Sequence, residues 1–545
     1  MKSFIPRDLV IFLIIGLLLF SNLSVLIAQH QEIIPMDRRV EWEKAGLEKD
    51  SIKIENVLDA QQFGVVANDS VDDTKALRNI IDKASQMQGI TIIKLPSGQI
   101  DIRASIKIPS KVVLDGKGPQ WKNKSKATLI YYKGSIEKPN HVFFLSGKEE
   151  DQLGVIKSYQ AENKSIKLTN DLQVENVKYV LVQPHVGENI SNIKGNYVGR
   201  LVKVSSIDAN TINLSGSLDL TWELHGRTRL GVYRINPVVF AGLQDVTIKQ
   251  SGGFKCKEYT CKDITQMGNK RDMTGCKGHF VTIKYAYNSW VRNVEGIKPV
   301  QNHVNISSST HIEIKNSYFR EAVKYEGAYG YGVTVSDFTS MSLIENNIMS
   351  TLRHAILIQH GANQNVYGYN YTRQNSHQCD EKAGDISIHG HYPYANLLEG
   401  NIVDRIKADD HFYNKYGKYA RNGPFNTLLR NYDPSNYMVL KQIDSTNVLG
   451  NEAQLMKWDG SEKLIDIYGL RSNSANDAKT KYASHIEWTE NYEKSYYLPV
   501  ISLYYDQKPE FLKDSNWPPV GPPSVKQGTR TGQSIRALKN YQAFE

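Results

Sequence analysis

Short apolar strands that end in a turn residue recur along the second half of the chain. Residues 312–316, 343–347, 366–370, 397–401 and 428–431 each end in asparagine. The last four asparagines are 23, 31 and 30 residues apart. Repetition at this period predicts a solenoid in which each interval forms one coil, with loops inserted in the longer ones. Asparagine at repeated turns can hydrogen-bond the backbone of the next coil, so a structural role is predicted for these residues.

A denser set of short strands precedes these repeats. Apolar runs over 154–158, 165–169, 177–183, 201–207 and 211–215 are separated by Asn, Asp and Gly. This pattern predicts a small β-rich insertion over 150–230, beside the first coils. After Tyr505 the pattern fades into a proline-rich stretch and a basic tail. Because proline cannot donate a hydrogen bond within a central strand, we expect residues 511–545 to lie along the surface or to be disordered.

The first 28 residues carry the pattern of a secretion signal. Lys2 and Arg7 precede an apolar run over 9–20, which breaks at Ser21 and Asn22 before Ala28. A membrane anchor would need about 20 apolar residues, and this run is shorter. We therefore expect a cleaved leader and a secreted, periplasmic or cell-surface protein that has no membrane contact after cleavage.

Residues 62–119 contain an ordered series of local signals. Asp72 or Asp73 can cap a helix whose apolar residues recur at helical spacing over 74–87, and Gly89 can end it. The remaining signals are the segments Phe63-Gly64-Val65-Val66, the strand 91–95, Pro96-Ser97-Gly98 and Leu114-Asp115-Gly116-Lys117-Gly118-Pro119.

In this order, the signals resemble the N-terminal cap of pectate-lyase-like proteins, and the lead-in around residues 38–46 is similar to that of a secreted bacterial branch of the superfamily. The resemblance implies an all-β fold, a right-handed parallel β-helix whose open end is covered by one capping helix. It divides the chain into a leader (1–28), a lead-in (29–57), a β-helix domain (58–510) that contains the insertion, and the tail (511–545).

Charge adds a preference for an acidic partner. Loss of Lys2, Arg7 and Asp8 with the leader lowers the formal net charge from +9 to +8. A basic surface outside the cell suits an acidic polysaccharide, although solubility alone is the alternative explanation. Nucleic acid is not expected, because dense Lys/Arg runs are missing. The four cysteines allow at most two disulfides, in three pairings, and we expect a monomer.

Ionisable residues become frequent between His303 and Arg430. A β-helix has no cavity along its axis, so a substrate must lie in a groove on its flank, formed by strand faces and loops. The candidate catalytic residues are Arg353, His354, His389, His391 and His411. The candidate substrate-binding residues are Lys324, Tyr329, Tyr331, Asp385, Tyr392 and Lys407. Any single histidine among them is also compatible with a structural hydrogen bond at a turn.

Strict alternation over residues 385–389 places Asp385, Ser387 and His389 on one face of a strand and two isoleucines on the other. Histidines 354, 389 and 411 fall on successive coils. We therefore predict that these three histidines line one groove together with Arg353 and Asp409.

Two reactions fit such a groove. In β-elimination, a base removes the C5 proton of a uronic acid while a cation neutralises the adjacent carboxylate. Related β-helix lyases use an Arg, Lys or His base, often with Ca²⁺, which Asp409 and Asp410 could bind. Polygalacturonase-like hydrolases instead use paired carboxylates, and Asp409-Asp410 and His389-Gly390 repeat pieces of their motifs in a different order. A carbohydrate-binding or adhesion protein without catalysis is the third alternative. We expect a polysaccharide lyase.

Overall fold

The computed structural model describes residues 34, 38–48, 52–134, 140–161, 163–172, 176–185, 197–218, 229–251, 278–325, 327–373, 383–409, 421–441, 443, 445–459, 467–468, 498, 500–521, 524 and 535–544. The predicted leader, the four cysteines, Asp410 and His411 lie outside these residues. Within the described part of the chain, no helix is long and apolar enough to cross a membrane.

Parallel strands stack into three long sheets, which together form a right-handed parallel β-helix and confirm the predicted fold. Sheet 1 contains Ile54–Asp59, Ile90–Lys94, Val112–Asp115, Val238–Val239, Gly242–Gln244, Ala286–Arg292, Thr310–Lys315, Leu343–Glu345, Val366–Gly368, Leu397–Glu399, Thr427–Leu429, Asn447–Leu449 and Ile467–Tyr468. Sheet 2 contains Gly98–Ile102, Thr128–Tyr132, Thr247–Gln250, Glu295–Ile297, Tyr318–Arg320, Ile348–Ser350 and Tyr371–Arg373. Sheet 3 contains Ile106–Lys107, Asn140–Ser146, Gly278–Lys284, Asn302–Ser307, Tyr331–Ser336, His354–Ile358, Ile386–Ile388, Ile406–Ala408, Tyr432–Lys441 and Glu452–Asp459.

The core of the solenoid consists of apolar side chains stacked in register from coil to coil. In sheet 3, for example, Val333, Ile356, Ile386 and Ile406 are successive partners and are all fully buried. Branched apolar residues alternate with polar ones here because one face of each strand points inward. Burying each such side chain contributes about 1.5–3 kcal/mol, so the inward rows hold the coils together and leave the outward rows available for function.

An asparagine ladder follows the turns after sheet 1, as the spacing predicts. The amide oxygens of Asn370, Asn401, Asn431 and Asn451 each accept a hydrogen bond from the backbone N–H of the ladder asparagine one coil earlier, at 2.9–3.2 Å. A second, shorter ladder runs through residues 365, 396 and 426. These buried amides link consecutive coils, which is the structural role that the spacing predicts.

One amphipathic helix covers the N-terminal end of the solenoid. It spans Thr74–Ser85 and buries Leu77, Ile80 and Ile81 against the first coils. Asp73 is the N-cap residue and makes no side-chain cap hydrogen bond, whereas the carboxylate of the preceding Asp72 accepts from the backbone N–H of Thr74 at 3.1 Å. The helix ends two residues before the predicted end. The predicted cap is therefore present and structural.

The region of dense short strands forms a closed barrel outside the solenoid. Its six strands are Lys148–Gln160, Ser165–Leu168, Tyr179–Pro184, Arg200–Asp208, Thr211–Leu214 and Leu230–Asn236, which pair antiparallel. The barrel follows the early-coil strand Asn140–Ser146 in the chain and also packs on middle coils: Arg200 donates to Asn363 at 2.8 Å, and Leu201 accepts from Thr310 at 3.2 Å.

The described residues of the lead-in and of the C-terminal region pack on the outside of the solenoid. In the lead-in, the 3-10 helix Trp42–Lys44 inserts the Trp42 indole, which donates to the carbonyl of Ala395 at 2.8 Å. Near the C-terminus, the hydroxyls of Tyr504 and Tyr505 both donate to Glu345 in sheet 1 at 2.8 Å. A short 3-10 helix (Glu510–Leu512) and a terminal helix (Arg536–Phe544) follow. The described parts of the predicted tail are thus ordered on the surface.

Candidate functional site

Four neighbouring strands of sheet 3 bring the candidate catalytic residues together. Ile386 and Ile388 are buried in the core, so the alternation turns Ser387 and then His389 outward. Ser387 pairs in register with Lys407 of the next coil, and Asp409 follows two residues later, beside His389. At the start of the preceding strands, Tyr331 pairs with His354. The same physical pattern that forms the core therefore builds a polar outer face.

Arg353 is held between a tyrosine and a histidine. Its Nη1 donates to Tyr331 Oη at 3.1 Å and lies 3.0 Å from His354 Nε2. The other ring nitrogen of His354, Nδ1, lies 2.6 Å from the carbonyl oxygen of Gly384. A carbonyl only accepts, so Nδ1 carries the proton and Nε2 accepts from the guanidinium. Both ring nitrogens of His354 are therefore engaged in orienting Arg353.

Burial keeps His354 neutral. The imidazole is 3% exposed, and burial, followed by the charge of Arg353, holds the pKa of His354 well below its usual value. A histidine that is buried, neutral and bonded at both nitrogens is poorly suited to exchange protons with a substrate. It is a positioning residue.

His389 is oriented by a carboxylate on the next coil. Its Nδ1 lies 2.9 Å from Asp409 Oδ1, while Lys407 Nζ lies 3.0 Å from Asp409 Oδ2. Burial raises the pKa of Asp409, but the contacts with His389 and Lys407 outweigh it, so this pKa lies below its ordinary value. An ionised Asp409 favours the His389 tautomer with the proton on Nδ1, which leaves the lone pair on Nε2.

The two groups of contacts form one continuous cluster. The ring centroids of His354 and His389 are 6.3 Å apart, and those of Tyr331 and His354 are 5.1 Å apart. We call the set Tyr331, Arg353, His354, His389, Lys407 and Asp409 the polar cluster. Arg353, His389 and Lys407 are partly exposed, whereas the other three residues are buried. A base and two cations thus reach the surface together.

Several other candidates lie elsewhere or are buried. Lys324 is fully buried, with its ammonium 5.1 Å from the ring of Tyr329, which is itself buried. Asp385 is also fully buried, where it accepts from the Thr372 hydroxyl and from a backbone N–H. Burial makes Lys324, Tyr329 and Asp385 inaccessible to a polymer in solution, so we withdraw their assignment to substrate binding.

His391 and Tyr392 belong to a different part of the surface, at the corner between sheets 3 and 1. The His391 ring lies 5.2 Å from His360 and 5.2 Å from Tyr197 beside the barrel. Tyr392 packs 5.5 Å from Tyr394 on the barrel side. The turn after His389 changes the chain direction, so adjacency in sequence does not bring these two residues to the polar cluster, and we withdraw both from the candidate site.

Asn422 is a residue of the site that sequence reasoning did not assign. Its side chain donates to the backbone carbonyl of Asp409 at 3.1 Å and accepts from the N–H of Gly390 at 3.0 Å. It therefore ties together the two turns that carry His389 and Asp409. Its position in a turn-forming stretch, Asn422-Gly423-Pro424, is the signal that could have suggested this role.

Calcium does not fit Asp409 in this arrangement. One carboxylate oxygen of Asp409 faces the His389 ring nitrogen, and the other faces the Lys407 ammonium at 3.0 Å. That ammonium would repel a divalent cation bound to the same carboxylate. Within the described residues, no group of three or more His, Cys, Asp or Glu side chains could bind a metal ion. We derive no step through a metal.

Comparison with known proteins supports the fold. No family model matches the chain, and no curated protein matches it. Among solved structures, the tailspike protein gp49 from Pseudomonas phage LKA1 is 13% identical, with a TM-score of 0.50, over 73% of this chain and 64% of that one. The A-module of a mannuronan C-5 epimerase from Azotobacter vinelandii is 11% identical, with a TM-score of 0.31, over 76% and 99%. The chain thus spans less than two thirds of the tailspike, and the likeness shows a parallel β-helix.

Proposed function

We propose that this chain is an exported, carbohydrate-active enzyme that cleaves an acidic polysaccharide by β-elimination at the polar cluster. The observation that carries the proposal is the joint placement of the Arg353 guanidinium and the His389 imidazole on the solvent-facing side of sheet 3. The expected leader and the basic charge support an extracytoplasmic acidic substrate.

In this mechanism, His389 is the base. With the Nδ1 proton directed to Asp409, its Nε2 takes the C5 proton of a uronic acid residue. Arg353 pairs with the substrate carboxylate and stabilises the negative charge that develops on it. The C4–oxygen bond then breaks, a C4–C5 double bond forms, and the leaving oxygen takes a proton from water. Lys407 supplies a second cation at the same place.

Electrostatics favour this reaction over hydrolysis by paired carboxylates. A glycosidase needs one carboxylic acid whose pKa is raised, so that it can protonate the leaving oxygen. Asp409 has a lowered pKa and faces the Lys407 ammonium and the His389 ring nitrogen Nδ1, and Asp385 is inaccessible. Neither carboxylate suits the role of general acid.

The direct test is incubation of the purified protein with polygalacturonate, alginate and hyaluronan, with and without a chelator. A lyase produces the ultraviolet absorbance of an unsaturated uronic acid together with new reducing ends. New reducing ends without that absorbance would instead identify a hydrolase, and no products from any polymer would contradict the enzymatic proposal. Equal rates with the chelator are expected, because the mechanism uses no metal.

Substitution of the base gives the first prediction. We expect His389→Ala to lower turnover by about 10² to 10⁴, because a proton-transfer group is lost, with little change in melting temperature. His141→Ala is the matched control. His141 is also in sheet 3, five strands away from the strand Ile386–Ile388 that leads to His389, and its ring contacts the Thr282 hydroxyl at 2.7 Å. Equal turnover in both variants would show that His389 is not the base.

A further inference from the structure

A groove with a volume of ≈ 740 Å³ lies on the outer face of sheet 2. Residues of four strands and of the loop 120–124 line it, including Trp121, Lys124, Lys249 and Arg320. Arg320 ends the sheet 2 strand of the same coil whose sheet 3 strand begins at Tyr331. The groove is thus distinct from the polar cluster and shares one coil with it, the coil that carries Arg320 and Tyr331.

The wall of this groove is an aromatic ring held in a fixed position. The backbone N–H of Trp121 donates to Glu295 Oε2 at 3.1 Å, and its indole meets the ring of Tyr318 edge-on, with centroids 6.1 Å apart. Trp121 remains partly exposed toward the groove. A rigid indole offers an apolar surface to the C–H face of a hexose at little cost in side-chain entropy.

The charge of the groove is positive. Arg320 pairs with Glu295 at 3.2 Å and with Glu321 at 2.9 Å, which leaves one negative charge. Lys124, Lys249 and Lys298 also line the groove, so its four cations and two carboxylates give a formal net charge of +2. Lys124 and Lys249 are exposed, and neither has an ion-pair partner among the residues that the structure describes. Two unneutralised ammonium groups therefore stand beside the aromatic wall, which is the combination that a negatively charged sugar requires.

We infer that this groove is a non-catalytic binding site for an acidic polysaccharide. One sugar ring of the polymer lies against Trp121, and carboxylates of the polymer lie beside Lys124 and Lys249. The inference takes the class of polymer from the proposed function, but it does not depend on the reaction. A polymer held here has a higher effective concentration at the polar cluster, which begins on the last coil of the groove.

The test is affinity electrophoresis in gels that contain polygalacturonate, alginate or hyaluronan, with dextran as the neutral polymer. The groove variant is Lys124→Glu/Lys249→Glu. Its control is Lys53→Glu/Lys75→Glu, which makes the same change of charge at exposed lysines near the N-terminal cap. We expect the groove variant to raise the dissociation constant for one or more acidic polymers by at least about 10-fold relative to the control. Wild-type binding should also weaken as salt is added.

Equal retention of the groove variant and the control would overturn the inference, and so would the absence of retention of the wild type by all three acidic polymers. The His389→Ala variant separates this result from the proposed function. The inference is supported if the gel retains the His389→Ala variant but not the groove variant. This holds even if the wild type forms no product. In that case only the catalytic proposal fails.

Discussion

The presentation of Arg353 depends on the two ring nitrogens of one buried histidine. We predict that His354→Phe lowers the free energy of unfolding by about 1–3 kcal/mol, because the Gly384 carbonyl is left buried without its partner. Turnover should fall as well, since Arg353 loses its contact with Nε2. His354→Gln can restore one of the two hydrogen bonds and should recover part of the stability.

Chemical denaturation and steady-state kinetics check this prediction. A purely structural role would lower stability and leave kcat and KM of the folded protein unchanged. A positioning role predicts a rise in KM or a fall in kcat at temperatures where the variant is fully folded. Unchanged kinetics in folded His354→Phe would contradict the assignment.

At the residue scale, alternation along a strand was informative and position in a loop was not. The period of two correctly separates Ile386 and Ile388 from the outward residues that follow. Lys324 and Tyr329 lie in the loop before the strand that begins at Tyr331, and both are buried. No periodic pattern in the sequence predicts the path of this loop. Asp385 obeys the alternation, yet neighbouring coils cover it. Burial by other coils cannot be read from one strand.

At the scale of elements, the asparagine ladder links consecutive coils through buried hydrogen bonds. The amide of Asn401 donates to the Tyr367 carbonyl at 2.8 Å and to Asn431 at 2.8 Å, and its oxygen accepts from two N–H groups of Asn370. We predict that Asn401→Ala lowers the free energy of unfolding by ~3 kcal/mol, because several buried groups lose their partners. Urea denaturation measures the effect.

Asn163→Ala is the control for the ladder. Asn163 is exposed in a turn of the barrel, and substitutions at such positions stay within about 0.5 kcal/mol. A loss no larger for Asn401 than for Asn163 would mean that the ladder does not stabilise the coils.

The existence of elements was easier to predict than their partners. The capping helix and the coil repeats follow from local periodicity, so both were predictable. Five of the six barrel strands were also predictable, whereas Leu230–Asn236 was not predicted. Closure into a barrel is not predictable, because antiparallel pairing partners depend on contacts far apart in the sequence. The docking of the barrel on middle coils has the same origin.

On the scale of the whole molecule, segments distant in sequence cover the outside of the solenoid. The hydroxyl of Tyr504 occupies the space that a side chain at Gly368 would fill, and Leu503 N–H donates to Glu399 at 2.9 Å. Burial raises the pKa of Glu399 to about 7. Proline-rich composition suggested a peripheral tail. It did not indicate that residues 500–512 would bury carboxylates of sheet 1.

Buried histidines distributed over the coils make the stability of the whole solenoid sensitive to acid. Burial lowers the pKa of His279 and of His303 to about 3. Below pH ~6.5 the unfolded chain takes up protons at these side chains, whereas the folded protein does not until pH ~3. Each of these two buried histidines therefore lowers the free energy of unfolding as the pH falls from about 6.5 to about 3. Glu399 acts in the opposite direction between about pH 7 and 4.5, because the folded protein binds its proton more readily.

His303 allows this dependence to be tested at a single position. It packs between Phe280 and Phe319, with ring centroids 5.6 and 5.2 Å away, so a phenyl ring suits the site. We predict that His303→Phe reduces the pH dependence of the free energy of unfolding by up to one proton, about 1.4 kcal/mol per pH unit between pH ~6.5 and ~3. Denaturation curves across this range measure the slope. His185→Phe, at a partly exposed position of the barrel, is the control. An equal slope in wild type and His303→Phe would show that this buried ring already binds a proton in the folded protein.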